Sequence, residues 1–171
     1  MDLPFGHACF PFLKGLQSAA LSLAFLPDGS LIVGESNRGW NSQGTRSFGL
    51  ERIRWTGRIP FETKSMEALR DGFRLRFTMP VQAKTAAKVG AYAMTSYTYL
   101  YHQKYGSEEV QTQPVKIAAA EVEEGGTCVR LKCEGLREGF VHELHLTGIT
   151  SKDGQELWHD EAYYTLNHLP K

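Results

Sequence analysis

The sequence predicts an all-β protein in two parts: an incomplete β-propeller blade over residues 1–57, then an immunoglobulin-like β-sandwich over residues 58–171. Two observations support this. Short segments with strand-like alternation of apolar and polar residues recur at intervals of roughly eight to fourteen residues. Turn signals such as Asp-Gly and Thr-Gly lie between them. A length of 171 residues fits one domain, or one domain with a piece of another.

The N-terminal part is expected to form a three-stranded sheet. Residues 3–17 are irregular and rich in Pro, Gly and Phe, whereas residues 20–35 alternate on either side of Pro27-Asp28-Gly29. That tripeptide predicts a hairpin, because proline presets φ and glycine accepts a positive φ. A polar loop then leads to a strand over residues 50–55. Three such strands are typical of a propeller blade, and one blade cannot bury both of its faces alone.

The C-terminal part contains the remaining strands. One or two helical turns are predicted at residues 82–90, and Pro114 is expected to place its strand at a sheet edge. The strand that begins at Phe140 is expected at the centre of the sandwich, because its apolar residues alternate after a glycine-bounded turn. The strands are predicted over residues 61–68, 73–79, 92–102, 110–122, 127–134, 140–146 and 162–167.

Composition narrows the choice of partners. The 19 basic and 19 acidic residues balance, so there is no electrostatic argument for a nucleic acid or an anionic membrane. No apolar segment approaches the length of a membrane span. The three cysteines cannot all pair within one chain, and their spacing indicates neither a haem c attachment site nor structural zinc. We expect no nucleic-acid partner, no membrane span, and no catalytic, cofactor-binding or metal-binding residues in this chain.

A longer series of segments resembles a known family. Its segments are Gly15–Ser18, the hairpin Leu23–Glu35, Asn37–Trp40, Gly49-Leu50, Trp55–Gly57, Pro60–Glu62, Asp71–Phe73 and Tyr163–Asn167. In order and spacing the series is similar to the C-terminal end of large, exported bacterial glucose/sorbosone dehydrogenase-like β-propeller proteins, many of which also carry a cytochrome c domain.

The resemblance implies that the chain is the non-catalytic end of a quinone- or haem-dependent sugar dehydrogenase-like protein. It would pack on, or dock, the upstream propeller domain. Pyrroloquinoline quinone or haem c would be bound by the parent protein and not by this chain. The family also implies an exported or periplasmic location.

The alternative is an independent immunoglobulin-like module that binds carbohydrate or another protein. Tyr97, Tyr99 and Tyr101 are expected to form a stripe on one strand face, and they could stack on sugar rings or pack across strands. Arg38 and Trp40 lie in the blade loop, where they could contact a ligand or anchor the loop.

His142 is the candidate for a structural corner. It lies three residues after Gly139 on the apolar face of its strand. Sandwiches of this pattern commonly place a tyrosine there, which bonds back to an upstream backbone group. We expect His142 to make a corresponding structural bond, in preference to binding metal or taking part in chemistry.

Overall fold

The structure, a computed structural model, describes residues 6–39, 42–123 and 125–171. The protein is all-β, as the sequence predicts, and it divides into two compact units. One unit combines the described residues up to Pro11 with residues 60–171, and the other comprises residues 12–59.

Eleven strands and two short helical segments make up the described elements. The helix α1 spans Ala83–Ala86, and a 3₁₀ turn spans Val89–Ala91. The strands are β1 Gly6–Cys9, β2 Ala20–Phe25, β3 Leu31–Ser36, β4 Phe48–Ile53, β5 Thr63–Leu69, β6 Gly72–Phe77, β7 Tyr92–Tyr99, β8 Glu109–Val122, β9 Cys128–Glu134, β10 Phe140–Leu146 and β11 Glu161–Leu166.

The larger unit is one antiparallel sheet of eight strands that folds back on itself. Its strand order is β1-β11-β10-β7-β8-β9-β6-β5. The 14-residue strand β8 makes the fold possible, because its first half pairs with β7 and its second half pairs with β9. The ring of Phe73 on β6 lies 5.2 Å from that of Tyr164 on β11, so strands distant in the sheet order meet in the interior.

Side chains from several strands fill the interior of this unit. Phe73 and Leu75 on β6, Leu131 on β9, Leu144 on β10 and Leu166 on β11 are all fully buried. Each such side chain contributes about 1.5–3 kcal/mol by leaving water. A core shared by so many strands gives this unit a single cooperative interior.

The smaller unit is a separate three-stranded antiparallel sheet in the order β2-β3-β4. The Pro27-Asp28-Gly29 hairpin is present: Gly29 adopts a φ of 79°, and the Asp28 carboxylate accepts bonds from both the N–H and the hydroxyl of Ser30. The sequence predicted this hairpin from the turn residues and from the alternating segments on either side of them.

Three expectations about the strands need correction. Residues 6–9 are not irregular: β1 pairs with β11 and therefore belongs to the large sheet, not to an N-terminal part that reaches residue 57. The strand predicted to reach residue 102 ends at Tyr99. Pro114 was expected to place its strand at a sheet edge, but β8 is internal to the sheet order. Pro114 precedes Lys116, where the pairing with β9 begins, so its missing N–H removes no hydrogen bond to β9. The finer assignments, a propeller blade and an immunoglobulin-like sandwich, stay predictions.

Candidate functional site

One face of the three-stranded sheet is open to solvent. The strand register places Ser22 and Ala24 of β2, Ile32, Gly34 and Ser36 of β3, and Phe48, Leu50 and Arg52 of β4 on the same side. We call this side the open face. Phe48 is 77% exposed and Leu50 is 72% exposed, although both are large apolar side chains on a regular strand. Exposed apolar residues that adjoin in this way indicate an interaction surface.

The open face has an uneven relief. Phe48 and Leu50 form a ridge on the edge strand β4. The small residues Ser22, Ala24 and Gly34 form a shallow trough beside it, which the larger Ile32, next to Ala24, bounds at one end. A Cβ atom at Gly34 would lie 2.4 Å from the Ser22 hydroxyl oxygen, so a larger residue there would force the Ser22 side chain to move.

The opposite face is partly covered by the chain that precedes β2. The Ser18 N–H donates to the Glu35 carboxylate at 2.7 Å, and the Gln17 N–H donates to Glu51 at 3.1 Å. Val33 is buried on this side, whereas Leu23 and Phe25 of the edge strand β2 are 65% and 78% exposed there. Burial, followed by the hydrogen bond to the neighbouring Glu51, raises the pKa of Glu35. Two carboxyl groups held together on a covered face are costly to ionise at once.

The two units carry opposite charge. Residues 12–59 contain six basic and three acidic side chains, a formal charge of +3, and because the whole chain is balanced the remainder carries −3. On the open face the one charged side chain is Arg52, and it bonds to Asp28 and Ser30 of the hairpin turn. The ridge and trough are therefore uncharged.

The residues predicted to contact a ligand or to anchor the blade loop are Arg38 and Trp40. Arg38 is exposed in the turn after β3 with a φ of 46°, and its N–H donates to the Ser36 hydroxyl at 3.1 Å. Trp40 lies outside the described residues. A ligand-binding role for either stays a prediction.

The three predicted tyrosines do not form one stripe. β7 ends at Tyr99, before the third of these tyrosines. Tyr97 is buried, and its ring meets that of Tyr99 edge to face at 5.6 Å. Tyr101 lies beyond the strand end and is fully exposed. Tyr97 is thus a packing residue, and the part of the predicted surface open to a ligand is reduced to Tyr99 and Tyr101.

His142 is fully buried, and its Nε2 accepts a bond from the backbone N–H of Arg137 at 3.3 Å. Arg137 itself donates to the carbonyl oxygens of Ser96 at 2.5 Å and Gln111 at 2.9 Å, and its guanidinium lies 3.8 Å from the centre of the Phe140 ring. This network joins the turn before β10 to β7 and β8. Burial, with a smaller effect of Arg137, lowers the pKa of His142 to about 4.

Sequence reasoning missed a second surface, a groove of about 410 Å³ beside Trp158 at one end of the large sheet. Thr147, Thr150, Glu156 and Asp160 line it together with Trp158. Trp158 is 63% exposed. The signal in the sequence is a lone tryptophan with an acidic residue two positions before and after it, in Glu156-Leu-Trp-His-Asp160.

Among the described residues, no group of three His, Cys, Asp or Glu side chains could hold a metal ion. No described helix has the length and apolar character that a membrane crossing requires.

Comparison with known proteins returns a limited set of likenesses. No family model matches the chain, and no curated protein matches it. Three solved structures match, all of the bacterial S-layer protein SbsC: its N-terminal part, the fragment of residues 31–844, and its domains 1–6. The TM-score is 0.49 for each, and the identities are 17%, 19% and 16%. The matches cover 66%, 64% and 67% of this chain but only 25%, 14% and 15% of those chains.

These comparisons correct the family resemblance stated above. The matching structures are of an S-layer protein, and the sugar dehydrogenase-like propeller family is not among the findings, so that assignment is wrong. The role as a dehydrogenase end segment is wrong with it. The upstream propeller, the pyrroloquinoline quinone and the haem c followed from that resemblance alone. The exported or periplasmic location stays a prediction.

Proposed function

We propose that this chain is a structural module that associates with a second copy of itself through the open face of its three-stranded sheet. The observation that carries the proposal is the exposure of Phe48 and Leu50 on that face. Isolated exposed apolar residues are ordinary, but two large ones side by side on a regular strand, beside an uncharged trough, favour a protein contact.

The relief of the open face favours a second copy as the occupant. In a two-fold dimer the same patch meets itself, so each patch must be its own complement. The ridge of Phe48 and Leu50 runs along one side of the face and the trough of Ser22, Ala24 and Gly34 along the other. Rotation of one copy by 180° about an axis that lies in the interface and runs parallel to the strands places each ridge over the other copy's trough. Large side chains then pack against small ones on both sides.

The open face itself carries little charge. Arg52, the charged side chain on the open face, is paired with Asp28 of its own chain. Two copies therefore meet through uncharged side chains, and salt screens the repulsion between their three-stranded units, each of which carries a formal charge of +3.

The size of the face predicts how tight the dimer is. Three strands about 4.8 Å apart and six residues long, at about 3.3 Å per residue, give a footprint of roughly 280 Å². Stable interfaces bury about 800 Å² of each partner, so this contact belongs with the weak ones. We expect dissociation constants of roughly 10–100 μM for the isolated chain, with stronger association where several copies are held together.

Sedimentation velocity of the chain from about 5 to 500 μM tests the proposal. We expect a reversible monomer–dimer equilibrium that Phe48→Ser abolishes. Phe25→Ser is the matched control, because Phe25 is 78% exposed on the opposite side of the same sheet. Its dimer should persist.

A second variant separates face packing from pairing of strand edges. Ala24→Arg fills the trough with a charged side chain but leaves the backbone edges of β2 and β4 free, so it should also abolish the dimer. A monomer at every concentration contradicts the proposal. So does a dimer that survives both Phe48→Ser and Ala24→Arg.

A further inference from the structure

The geometry points to a binding site for an organic cation, an ammonium or guanidinium group, in the groove beside Trp158. The groove lies in the eight-stranded unit and is independent of the open face. It has a volume of about 410 Å³, which is sufficient for a basic side chain or a small amine.

The backbone that carries Trp158 is held in place. The Trp158 N–H donates to the Phe61 carbonyl at 3.1 Å. The next residue, His159, is bonded to Glu62 through its N–H at 3.2 Å and through Nδ1 at 2.5 Å. The indole ring lies 6.1 Å from the imidazole ring at an angle of 22°, and it is 63% exposed. The backbone therefore positions the indole at the groove, where its exposed surface is open to a ligand.

The polar side chains of the groove are suited to a ligand that donates hydrogen bonds. Glu156 and Asp160 contribute carboxylates, which accept only, and neither makes a side-chain hydrogen bond or ion pair with a described residue. Thr147 and Thr150 add hydroxyls, and no Lys, Arg, Asn or Gln lines the groove. An ammonium or guanidinium group donates and never accepts, so it satisfies this set without leaving a partner unpaired.

Tryptophan strengthens the choice of a cation over a neutral sugar. The face of an indole attracts a positive charge more strongly than any other aromatic side chain, and the two carboxylates add to that attraction. A sugar hydroxyl both donates and accepts, and amide or basic donors to match it are absent from the lining residues described. At an exposed site of this kind the expected dissociation constant is about 1 mM.

The test follows the indole N–H resonance of Trp158 by NMR while ligands are added to the full chain. Absence of one signal in Trp158→Leu identifies the resonance. N-acetyl-arginine amide and N-acetyl-lysine amide should shift it saturably. N-acetyl-citrulline amide, the uncharged counterpart of the arginine ligand, and methyl glucoside should not.

Two variants provide the controls. Glu156→Gln combined with Asp160→Asn should weaken binding at least about five-fold, and raising the salt from about 0.02 to 0.5 M should weaken it in the unchanged chain. Trp55→Leu removes an exposed tryptophan of the other unit and should leave the affinity unaltered. Equal shifts with citrulline or glucoside, or no saturable shift with either cation, would overturn the assignment.

One further ligand distinguishes a free amine from a basic side chain of a polypeptide as the source of the cation. If n-butylammonium binds as tightly as N-acetyl-lysine amide, the groove recognises the cationic group alone and free amines are ligands. If N-acetyl-lysine amide binds more tightly, the groove also contacts peptide groups and the ligand is a basic side chain of a polypeptide.

Discussion

The two units are built from the same kind of strand but differ in where their apolar side chains lie. In the eight-stranded unit, Phe73 and Leu144 are fully buried because the sheet folds back on itself and meets its own far end. In the three-stranded unit, Phe48 and Leu50 are mostly exposed because the sheet is too small to fold over. Alternation therefore predicts that a face is apolar, whereas the number of strands decides whether that face becomes a core or a surface.

This difference also separates the roles that a phenylalanine can have. Phe73 packs on the rings of Tyr164 and His142, at 5.2 and 5.6 Å, and its removal would leave a cavity. Phe48 meets solvent on its open side, and its truncation leaves no cavity there. The same residue type thus stabilises one unit and, in our proposal, serves association in the other.

The largest predicted effect comes from Phe73→Ala. We expect the free energy of unfolding of the eight-stranded unit to fall by about 3–5 kcal/mol, since both the burial and the packing of the ring are lost. Phe48→Ala should change the stability of the monomer by less than about 0.5 kcal/mol. Urea denaturation at low protein concentration, with hydrogen exchange to locate the change, measures both. Similar losses in the two variants would remove the distinction between core and surface.

The next prediction concerns pH and His142. Its pKa in the folded protein is about 4, below the ordinary value of 6.5, because burial disfavours the charged form. Between these values the unfolded chain binds more protons, so stability is complete above about pH 6.5 and is lost as pH falls toward 4. The residue should account for a loss of about 3 kcal/mol over this interval.

His142→Gln isolates that effect, because glutamine can still accept the Arg137 N–H but does not titrate. Urea denaturation at pH 7, 5.5 and 4 should show a steeper decline for the unchanged chain than for the variant. Parallel declines would mean that the histidine is protonated without cost in the folded protein.

Local signals in the sequence predicted local structure well. The hairpin between β2 and β3 follows from Pro27-Asp28-Gly29, and β10 follows from the alternation after Gly139. β1 could not be predicted in this way, since Gly6-His7-Ala8-Cys9 has no alternation and forms a strand only because β11, more than 150 residues later, supplies its partner. Such a strand is stabilised by a partner that is distant in the sequence.

For the candidate sites, too, local patterns in the sequence predict only what does not depend on contacts between distant segments. The tyrosine stripe was predicted from a strand that continues to residue 102, and the end of β7 at Tyr99 leaves Tyr101 outside it. The Trp158 groove depends on residues 147–160 folding so that separate segments meet, which no periodic pattern encodes. The open face could be predicted in part: its apolar residues are visible in the sequence, but the ridge and trough depend on the register between strands.

The smallest predicted effect contrasts the pH response of the two units. Burial and the neighbouring Glu51 raise the pKa of Glu35 above its ordinary value, so folding of the three-stranded unit favours its protonated form. The folded unit then binds more protons than the unfolded chain, and its stability should rise as pH falls from 7 toward the ordinary pKa of 4.5. This is opposite in sign to the effect of His142.

Hydrogen exchange of β3, corrected for the intrinsic pH dependence, should show slower opening at pH 5 than at pH 7. Glu35→Gln, which keeps an acceptor for the Ser18 N–H, should make the opening rate nearly independent of pH. Faster opening of β3 at pH 5 in the unchanged chain would show that the Glu35 carboxylate is stabilised and not strained by its surroundings.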